Sequence, residues 1–355
     1  MKQKIKQLID KRPRRKATPE KSLEQAIQNI PRITNETVAE HREEVLSSAR
    51  KYIYPLKHSA HRVVLTSISL IVAALVIFFS FCTIELYKFH STSGFMYGVT
   101  RVIPFPIAKA GPHYISYESY LFEVRHYIHY YQTQQKIDFN SESGKQQLQS
   151  FRTQALQSVI NDAYVKQLAS QHHVSVSDRE LNDELELVRS QNRLGSSDQV
   201  FADVLKEFWG WSIDDFKREL KQQMLAQKVV STLDTATQQR AQTALAQLQS
   251  GTDFATLAGQ VSDDTTTKAS GGDYGMLIDR TNRDIPPQVI DQLFRLQSGQ
   301  TSGIINTGVS LEIVKVEQIS GDKVKAAHIQ FNFQPITTYT DPLQAREKPH
   351  MFVSF

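Results

Sequence analysis

The chain of 355 residues contains a single cysteine, Cys82. One cysteine excludes an internal disulfide, a catalytic pair of thiols and a zinc site built from several cysteines. Cys82 also lies inside the most apolar run of the sequence, so the remaining residues have no thiol chemistry. Their stability must therefore come from ordinary packing and hydrogen bonding.

Charged residues are absent from residues 63–84, "VVLTSISLIVAALVIFFSFCTI". A helix of this length would span a hydrocarbon core of roughly 30 Å. A buried core helix is the alternative, but an uncharged surface on every side is hard to place in a small soluble domain. A cleaved signal peptide is disfavoured, because no small-residue cleavage site follows and the preceding segment is too long. The sequence predicts one transmembrane helix.

Charge is unevenly distributed about this helix. Residues 1–62 hold fifteen Lys/Arg against seven Asp/Glu, an excess of eight in a chain of net charge +4, so the remainder carries −4. Basic residues flank the near side of the helix and aromatic residues follow its far end: Arg50, Lys51, Lys57 and Arg62, then Tyr87, Phe89, Phe95 and Tyr97. The positive-inside rule and the aromatic belt place residues 1–62 in the cytoplasm and residues 88–355 outside. We expect the basic arm to lie against anionic lipid as a partly disordered segment, in preference to binding nucleic acid.

Beyond the membrane, the pattern predicts an α+β protein with two domains. Residues 85–113 mix glycine, proline and apolar residues without a period and are predicted to form a linker with one short strand. Residues 114–233 repeat apolar positions every three or four residues, which indicates a helical domain. Residues 234–333 alternate helix signals with strand signals, as in "SLEIVKVEQI". The tail, residues 334–355, ends in apolar residues that we expect to cover a sheet edge or a helix.

Three glycines stand within the stretch "KASGGDYGML", residues 268–277, just after Asp263 and Asp264. Such a loop could hold a phosphate, bind a metal or turn the chain into a sheet. No Lys-Ser/Thr strand-to-helix signature follows, and no further acidic ligands stand near the two aspartates. We therefore predict a tight turn that leads into a strand, with no metal.

The run "LQSGTDFATLAGQVSDDTTTKASGGDYGML…LFRLQSGQTSGII…SLEIVKV" resembles the parvulin-type (PpiC-like) peptidyl-prolyl isomerases. That family has an "aGxdFaxLAxxxSxD" helix pair, a "GGdlG" turn, a helix ending in "aF.L..Ge.s.pi" and a final strand. The similarity runs over residues 240–316. The preceding helices, notably "VSVSDRELNDEL" and "SIDDFKRELKQQMLAQKVV", resemble the chaperone segment of the SurA/PrsA foldases. The resemblance implies a helical chaperone-like domain joined to a parvulin-like domain.

The sequence departs from the family pattern at one strand. The family begins with a strand of "rHILv" type, whereas here a helix precedes the first family helix. A similar strand, "AAHIQF" with His328, follows the last family strand instead. Either His328 opens a truncated second repeat or the domain is circularly permuted. The link "SGDK" can close a hairpin between the two strands, which favours the permuted arrangement.

The resemblance also implies an active site. Asp264 matches the family's Asp/Cys position, His328 its first histidine, and Glu312 the position of its second histidine. Ile285, Val289 and Phe294 match the positions of the apolar substrate pocket, and Ile285 and Val289 are smaller than the Met and Phe usual there. Neighbouring Glu312 and Asp264 ions would repel, so one of them would take up a proton.

These observations predict a membrane-anchored extracytoplasmic peptidyl-prolyl isomerase and foldase. Its partners would be membrane lipid, through one span, and unfolded or exported polypeptides with X-Pro bonds. The reaction needs no cofactor, because the enzyme only has to favour the twisted amide over the planar one. One alternative is a holdase with a degenerate isomerase fold; the other is a scaffold whose cytoplasmic arm binds a partner or nucleic acid.

Overall fold

The computed structural model describes residues 34–53, 56–191 and 197–355. The first half of the predicted basic arm, residues 1–33, lies outside these residues. The chain divides into two compact units, Met1–Phe81 and Cys82–Phe355. The described part of the first unit is helical, with α1 at Asn35–Ile53 followed by α2 at Leu56–Tyr87, which continues past residue 81.

Helix α2 contains the whole of the predicted apolar span. Its segment His61–Tyr87 is 27 residues long, and the most apolar window within it has a mean hydropathy of 2.7 and is not buried inside the protein. By length and composition this helix can cross a membrane. The prediction of a long apolar helix at residues 63–84 is confirmed.

The second unit opens with a helical region built around a small sheet. Its elements are α3 (Gly94–Val102), β1 (Pro106–Ala110), β2 (His113–Ser116), α4 (Tyr117–Thr133), α5 (Glu142–Gln171), α6 (Asp178–Gln191), α7 (Asp198–Trp209) and α8 (Ile213–Leu233). The segment predicted as a linker with one short strand, residues 85–113, contains the strand β1 and also the helix α3, which was not predicted. Ser93 caps α3 by accepting a hydrogen bond from the Met96 amide, and buried Met96 and Thr100 anchor the helix.

Capping residues fix the ends of several helices. Ser177 and Glu180 exchange hydrogen bonds at the start of α6, and Ser212 and Asp215 form a capping box at the start of α8. Gly210 ends α7 in the left-handed conformation, with φ at 70°. Each such cap contributes about 1 kcal/mol to helix stability.

The C-terminal tail returns to the helical region. After α12 (Thr337–Arg346), strand β7 (His350–Met351) pairs antiparallel with β1 and completes a sheet of order β2-β1-β7. The Phe352 amide donates to the Ile107 carbonyl, and the Phe355 ring stacks on Tyr120 of α4 at 5.3 Å. The prediction that the tail covers a sheet edge is therefore confirmed.

Between these segments lies a mixed domain around a four-stranded antiparallel sheet. Its elements are α9 (Thr235–Gln249), α10 (Phe254–Val261), β3 (Asp273–Ile278), α11 (Pro287–Leu293), β4 (Ile305–Asn306), β5 (Ser310–Ser320) and β6 (Lys323–Asn332). The sheet has the order β3-β6-β5-β4, so the predicted β5–β6 hairpin is present and His328 belongs to this sheet.

The two faces of this sheet carry different side chains, because successive residues of a strand point to opposite sides. Ile313, Ile329 and Phe331 pack against α9 and α10 on one face. Val314, Ala326 and their neighbours pack against α11 on the other. Burying each large apolar side chain contributes about 1.5–3 kcal/mol. Glu312 and His328 follow the alternation onto the α11 face.

The glycine-rich stretch turns the chain into β3 as predicted. Gly272 has a φ of 85°, and its carbonyl accepts a hydrogen bond from the His328 amide at 2.9 Å. A Cβ at residue 272 would lie 2.2 Å from the His328 carbonyl oxygen. Only glycine permits this approach, so the stretch serves to bring the β3 turn against the strand that carries His328.

Candidate active site

The structure brings the three polar residues predicted for the site together. The Nε2 atom of His328 lies 3.0 Å from Asp264 Oδ2, and its Nδ1 atom lies 3.1 Å from Glu312 Oε2. The side chains of His328 and Glu312 are only 5% and 4% exposed, and that of Asp264 is 19% exposed. The result is a nearly buried histidine held between two carboxylates.

Strand register places Glu312 beside His328. Val314 on β5 pairs with His328 on β6, and Glu312 pairs with Gln330, so the glutamate and the histidine are diagonal neighbours on the same face. The two residues are 16 positions apart in the sequence, and the β5–β6 hairpin brings them together.

Asp264 reaches the histidine because the end of α10 is fastened to β6. The Asp263 amide donates to the Gln330 carbonyl at 2.7 Å, and buried Ser262 accepts a hydrogen bond from the Gln330 amide at 3.1 Å. Asp263 itself forms an ion pair with Arg240 at 2.6 Å. Asp263 therefore holds the loop against β6 and Arg240, and the neighbouring carboxylate, that of Asp264, faces His328.

Hydrogen bonds hold Asp264 in its ionised form. Burial alone would raise the pKa of Asp264, but bonds from the Thr267 hydroxyl, the Thr266 amide and His328 lower this pKa to about 2. The prediction that Glu312 and Asp264 repel until one takes up a proton fails for Asp264. The physical reason is that the hydrogen bonds from the Thr267 hydroxyl, the Thr266 amide and His328 together outweigh the effect of burial on Asp264.

Two further side chains complete the site, and the sequence analysis did not identify them. Thr267 Oγ1 donates to Asp264 Oδ2 at 2.6 Å and lies 3.0 Å from His328 Nε2. The Tyr274 ring stacks on His328 with 4.3 Å between ring centroids, and its hydroxyl donates to Glu312 Oε2 at 3.5 Å. Burial, followed by the Glu312 charge, raises the pKa of Tyr274 well above its usual value. The available signal was the tyrosine in "GGDYG", where the family pattern has leucine.

The predicted apolar pocket residues are closed off in this conformation. Ile285 is 3% exposed and Val289 is fully buried, both within the core that α11 forms against the sheet. Phe294 is partly buried and lines a cavity of about 630 Å³ with Leu296. The Arg280 guanidinium lies over the Phe294 ring, 4.5 Å from its centroid. In this conformation Ile285 and Val289 are therefore not accessible to a proline ring.

A second group of carboxylates lies in the helical region, where the sequence offered no signal. Glu123 of α4, Asp162 of α5 and Glu219 of α8 line one crevice of about 610 Å³. Burial, and then the charges of Glu219 and Asp162, raise the pKa of Glu123 to about 8. Burial likewise raises the pKa of Asp162 and of Glu219. Arg218 partly compensates these charges, but its guanidinium is also paired with Glu118 at 2.7 Å.

Known protein families match both regions. Residues 224–318 match the PPIC-type PPIASE domain, and residues 58–230 match the SurA-like N-terminal domain. The chain thus joins a parvulin-type isomerase domain to a SurA-like region, and the resemblance drawn from the motifs is confirmed. The isomerase match ends before β6, so the strand with His328 lies outside it.

Individual relatives carry chaperone names. The chain is 33% identical to "Chaperone SurA" of Albidiferax ferrireducens over 164 residues, which cover 39% of this chain and 34% of that protein. It is 36% identical to "Periplasmic chaperone PpiD" of Escherichia coli K12 over 94 residues, 26% of this chain and 14% of that protein. It is 24% identical to "Chaperone SurA" of Pectobacterium atrosepticum over 237 residues, 53% of each chain. The chain spans about half or less of the length of these relatives.

Proposed function

We propose that the protein is a membrane-anchored extracytoplasmic foldase whose parvulin-type domain isomerises X-Pro bonds in exported polypeptides. The observation that carries this proposal is the Asp264–His328–Glu312 array on the same sheet face as the apolar side chains of α11. The SurA-like N-terminal region and the chaperone names of the relatives support the assignment of unfolded chains as clients.

Isomerisation makes and breaks no covalent bond, so the site acts by binding the twisted amide. Rotation about an X-Pro bond crosses a barrier of about 18–20 kcal/mol, which is lowered when the twisted state binds more tightly than the planar state. In this proposal the apolar side chains Ile285, Val289 and Phe294 hold the proline ring. Asp264 and Glu312 fix the orientation of His328 beside the rotating amide.

The proposal includes a circularly permuted strand order, in which β6 supplies the histidine strand from the far side of the domain. The β5–β6 ladder and the end of the family match before β6 support it. Ile329 is fully buried on β6. We expect Ile329→Ala to lower the free energy of unfolding of this domain by about 2–4 kcal/mol in chemical denaturation. A truncated second repeat, folding apart from the domain, would leave that transition unchanged.

The anchoring proposal places α2 across the membrane with residues 1–62 in the cytoplasm. The length and apolar composition of His61–Tyr87 support it. In a Cys82→Ser background, Ser48→Cys and Ser298→Cys give one thiol on each side. A membrane-impermeant maleimide should label residue 298 in intact spheroplasts and residue 48 only after lysis. Labelling in the reverse order would contradict the proposed orientation.

A holdase without isomerase activity is the second candidate, and the burial of His328 favours it. The two functions separate in a pair of assays on the same preparation: isomerisation of a short Ala-Pro peptide and suppression of aggregation of an unfolded client. Acceleration that is lost in His328→Ala supports the isomerase. Suppression of aggregation without any acceleration supports the holdase.

A further inference from the structure

We propose that Tyr274 is a gate that occupies the proline site, and that a client's proline ring binds by displacing it. The inference rests on the proposed function of the same site and concerns how a ligand reaches it. Three features support the gate: the position of the Tyr274 ring, the backbone that holds this residue and the length of its hydrogen bond to Glu312.

The Tyr274 ring covers the components that the proposed reaction needs. It stacks on the His328 imidazole with an interplanar angle of 24°, and it packs against the core cluster that contains Ile285 and Val289. Both nitrogens of His328 are already occupied by carboxylates. The same ring therefore contacts both the imidazole and the core cluster to which Ile285 and Val289 belong.

The backbone around Tyr274 is built as an irregularity in an edge strand. β3 is the edge of the sheet, and Asp273 pairs with Ala327 while Leu277 pairs with Lys325. Between these two pairs, β3 advances by four residues and β6 by only two. Tyr274 therefore lies in a β-bulge, between the two pairs. The bulge can move without breaking the ladder, because the pairs at both of its ends remain.

Glycines on both sides allow that movement. Gly272 and Gly275 have φ values of 85° and 71°, in the region that favours glycine. A Cβ at residue 275 would meet nothing within 4 Å, so the space beside the bulge is open. Outside the bulge, Asp273 is fixed by an ion pair with Lys325 at 3.1 Å. The segment between Asp273 and Leu277 is the hinged part.

The polar contact of the ring is the longest in the site. The Tyr274 hydroxyl lies 3.5 Å from Glu312 Oε2, whereas His328 Nδ1 lies 3.1 Å from the same oxygen. When Tyr274 swings outward, Glu312 keeps its shorter bond to His328. The opened position is apolar on the α11 side and is bordered by the imidazole, which suits an uncharged five-membered ring followed by a peptide carbonyl.

The experiment compares full-length wild type in detergent with three variants. Tyr274→Leu removes the ring, Tyr274→Phe keeps the ring without its hydroxyl, and Met276→Ala is a matched control on an exposed residue of the same bulge. The Kd of fluorescently labelled Ala-Ala-Pro-Phe peptide is measured by anisotropy, and isomerisation of the same peptide is measured in parallel. Thermal unfolding establishes that each variant is folded.

A gate reduces the apparent affinity by the fraction of open molecules, so Tyr274→Leu should tighten peptide binding by about tenfold. Tyr274→Phe should tighten it by about twofold, and Met276→Ala should leave it unchanged. If Tyr274→Leu does not fold, the phenylalanine variant decides: unchanged or weaker binding overturns the gate. Tighter binding with no isomerisation in any variant would support the gate and contradict the isomerase. Isomerisation by wild type with no tighter binding in Tyr274→Leu would overturn the gate alone, and so would absence of peptide binding by every variant.

Discussion

Asp264 and Glu312 share a histidine between them, whereas Glu123, Asp162 and Glu219 face one another across a crevice in the helical region. All five carboxyl groups are at least partly buried, but the surroundings of Asp264 and of Glu123 shift the pKa in opposite directions. Donors from Thr267, Thr266 and His328 lower the pKa of Asp264 to about 2. Burial and like charges raise the pKa of Glu123 to about 8.

Burial alone therefore does not decide the charge of a carboxyl group. Three donors outweigh desolvation at Asp264, while one shared arginine does not outweigh it at Glu123. Asp264 in the sheet site is therefore held in its ionised form, whereas Glu123 in the helical crevice is held in its protonated form. The two regions should respond differently to substitution and to pH.

The largest expected effect comes from removing the shared histidine. His328→Ala leaves two nearly buried carboxylates without their common partner, which should lower the free energy of unfolding by about 3–5 kcal/mol at pH 7. Chemical denaturation measures the change, with the exposed His172→Ala as a control expected to stay within about 0.5 kcal/mol. A change below 1 kcal/mol in His328→Ala would show that the array does not carry paired charge.

Asp264→Asn should have a smaller and pH-dependent effect. Because the pKa of Asp264 falls from 3.8 to about 2 on folding, its ionised form stabilises the protein above pH 3.8. That stabilisation, about 2 kcal/mol at pH 7, is lost as the pH falls through 2. Denaturant titrations at pH 7 and pH 3 should therefore show a larger difference from wild type at pH 7. A difference that grows as the pH falls would contradict the assigned donors.

Glu123→Gln should act in the opposite direction and by the smallest amount. The folded state keeps the Glu123 proton up to about pH 8, whereas the unfolded chain loses it near 4.5, so stability falls as the pH rises between these values. Replacing the carboxyl group with an amide should stabilise the helical region by about 1 kcal/mol at pH 8 and have little effect at pH 4. Thermal unfolding of wild type and Glu123→Gln at the two pH values measures the change in stability. A variant less stable than wild type at pH 8 would contradict the raised pKa of Glu123.

The sequence predicted what depends on local pattern and on the family motif. The apolar helix and the β5–β6 hairpin follow from composition and turn residues, and the meeting of Asp264 with His328 follows from the family resemblance. The helix α3 was missed because its glycine and apolar residues carry no clear period. The cap at Ser93 and the burial of Met96 stabilise this helix instead.

Contacts between distant elements could not be predicted in the same way. Tyr274 and Thr267 join the site through the bulge in β3 and the loop after α10, whose conformations the alternation of apolar residues does not encode. The carboxylates of the crevice come from three helices and meet only in the packed domain. Hydrophobic periodicity gives the face of a helix but not which faces share a crevice.

The most direct test of the proposed foldase measures isomerisation of an Ala-Pro peptide by the full-length protein in detergent, beside His328→Ala and Asp264→Asn. We predict acceleration by wild type, a loss of about 100-fold or more in kcat/KM for His328→Ala and a smaller loss for Asp264→Asn. Acceleration that survives His328→Ala undiminished, or no acceleration by a wild type that still suppresses client aggregation, would contradict the assignment of this site as an isomerase.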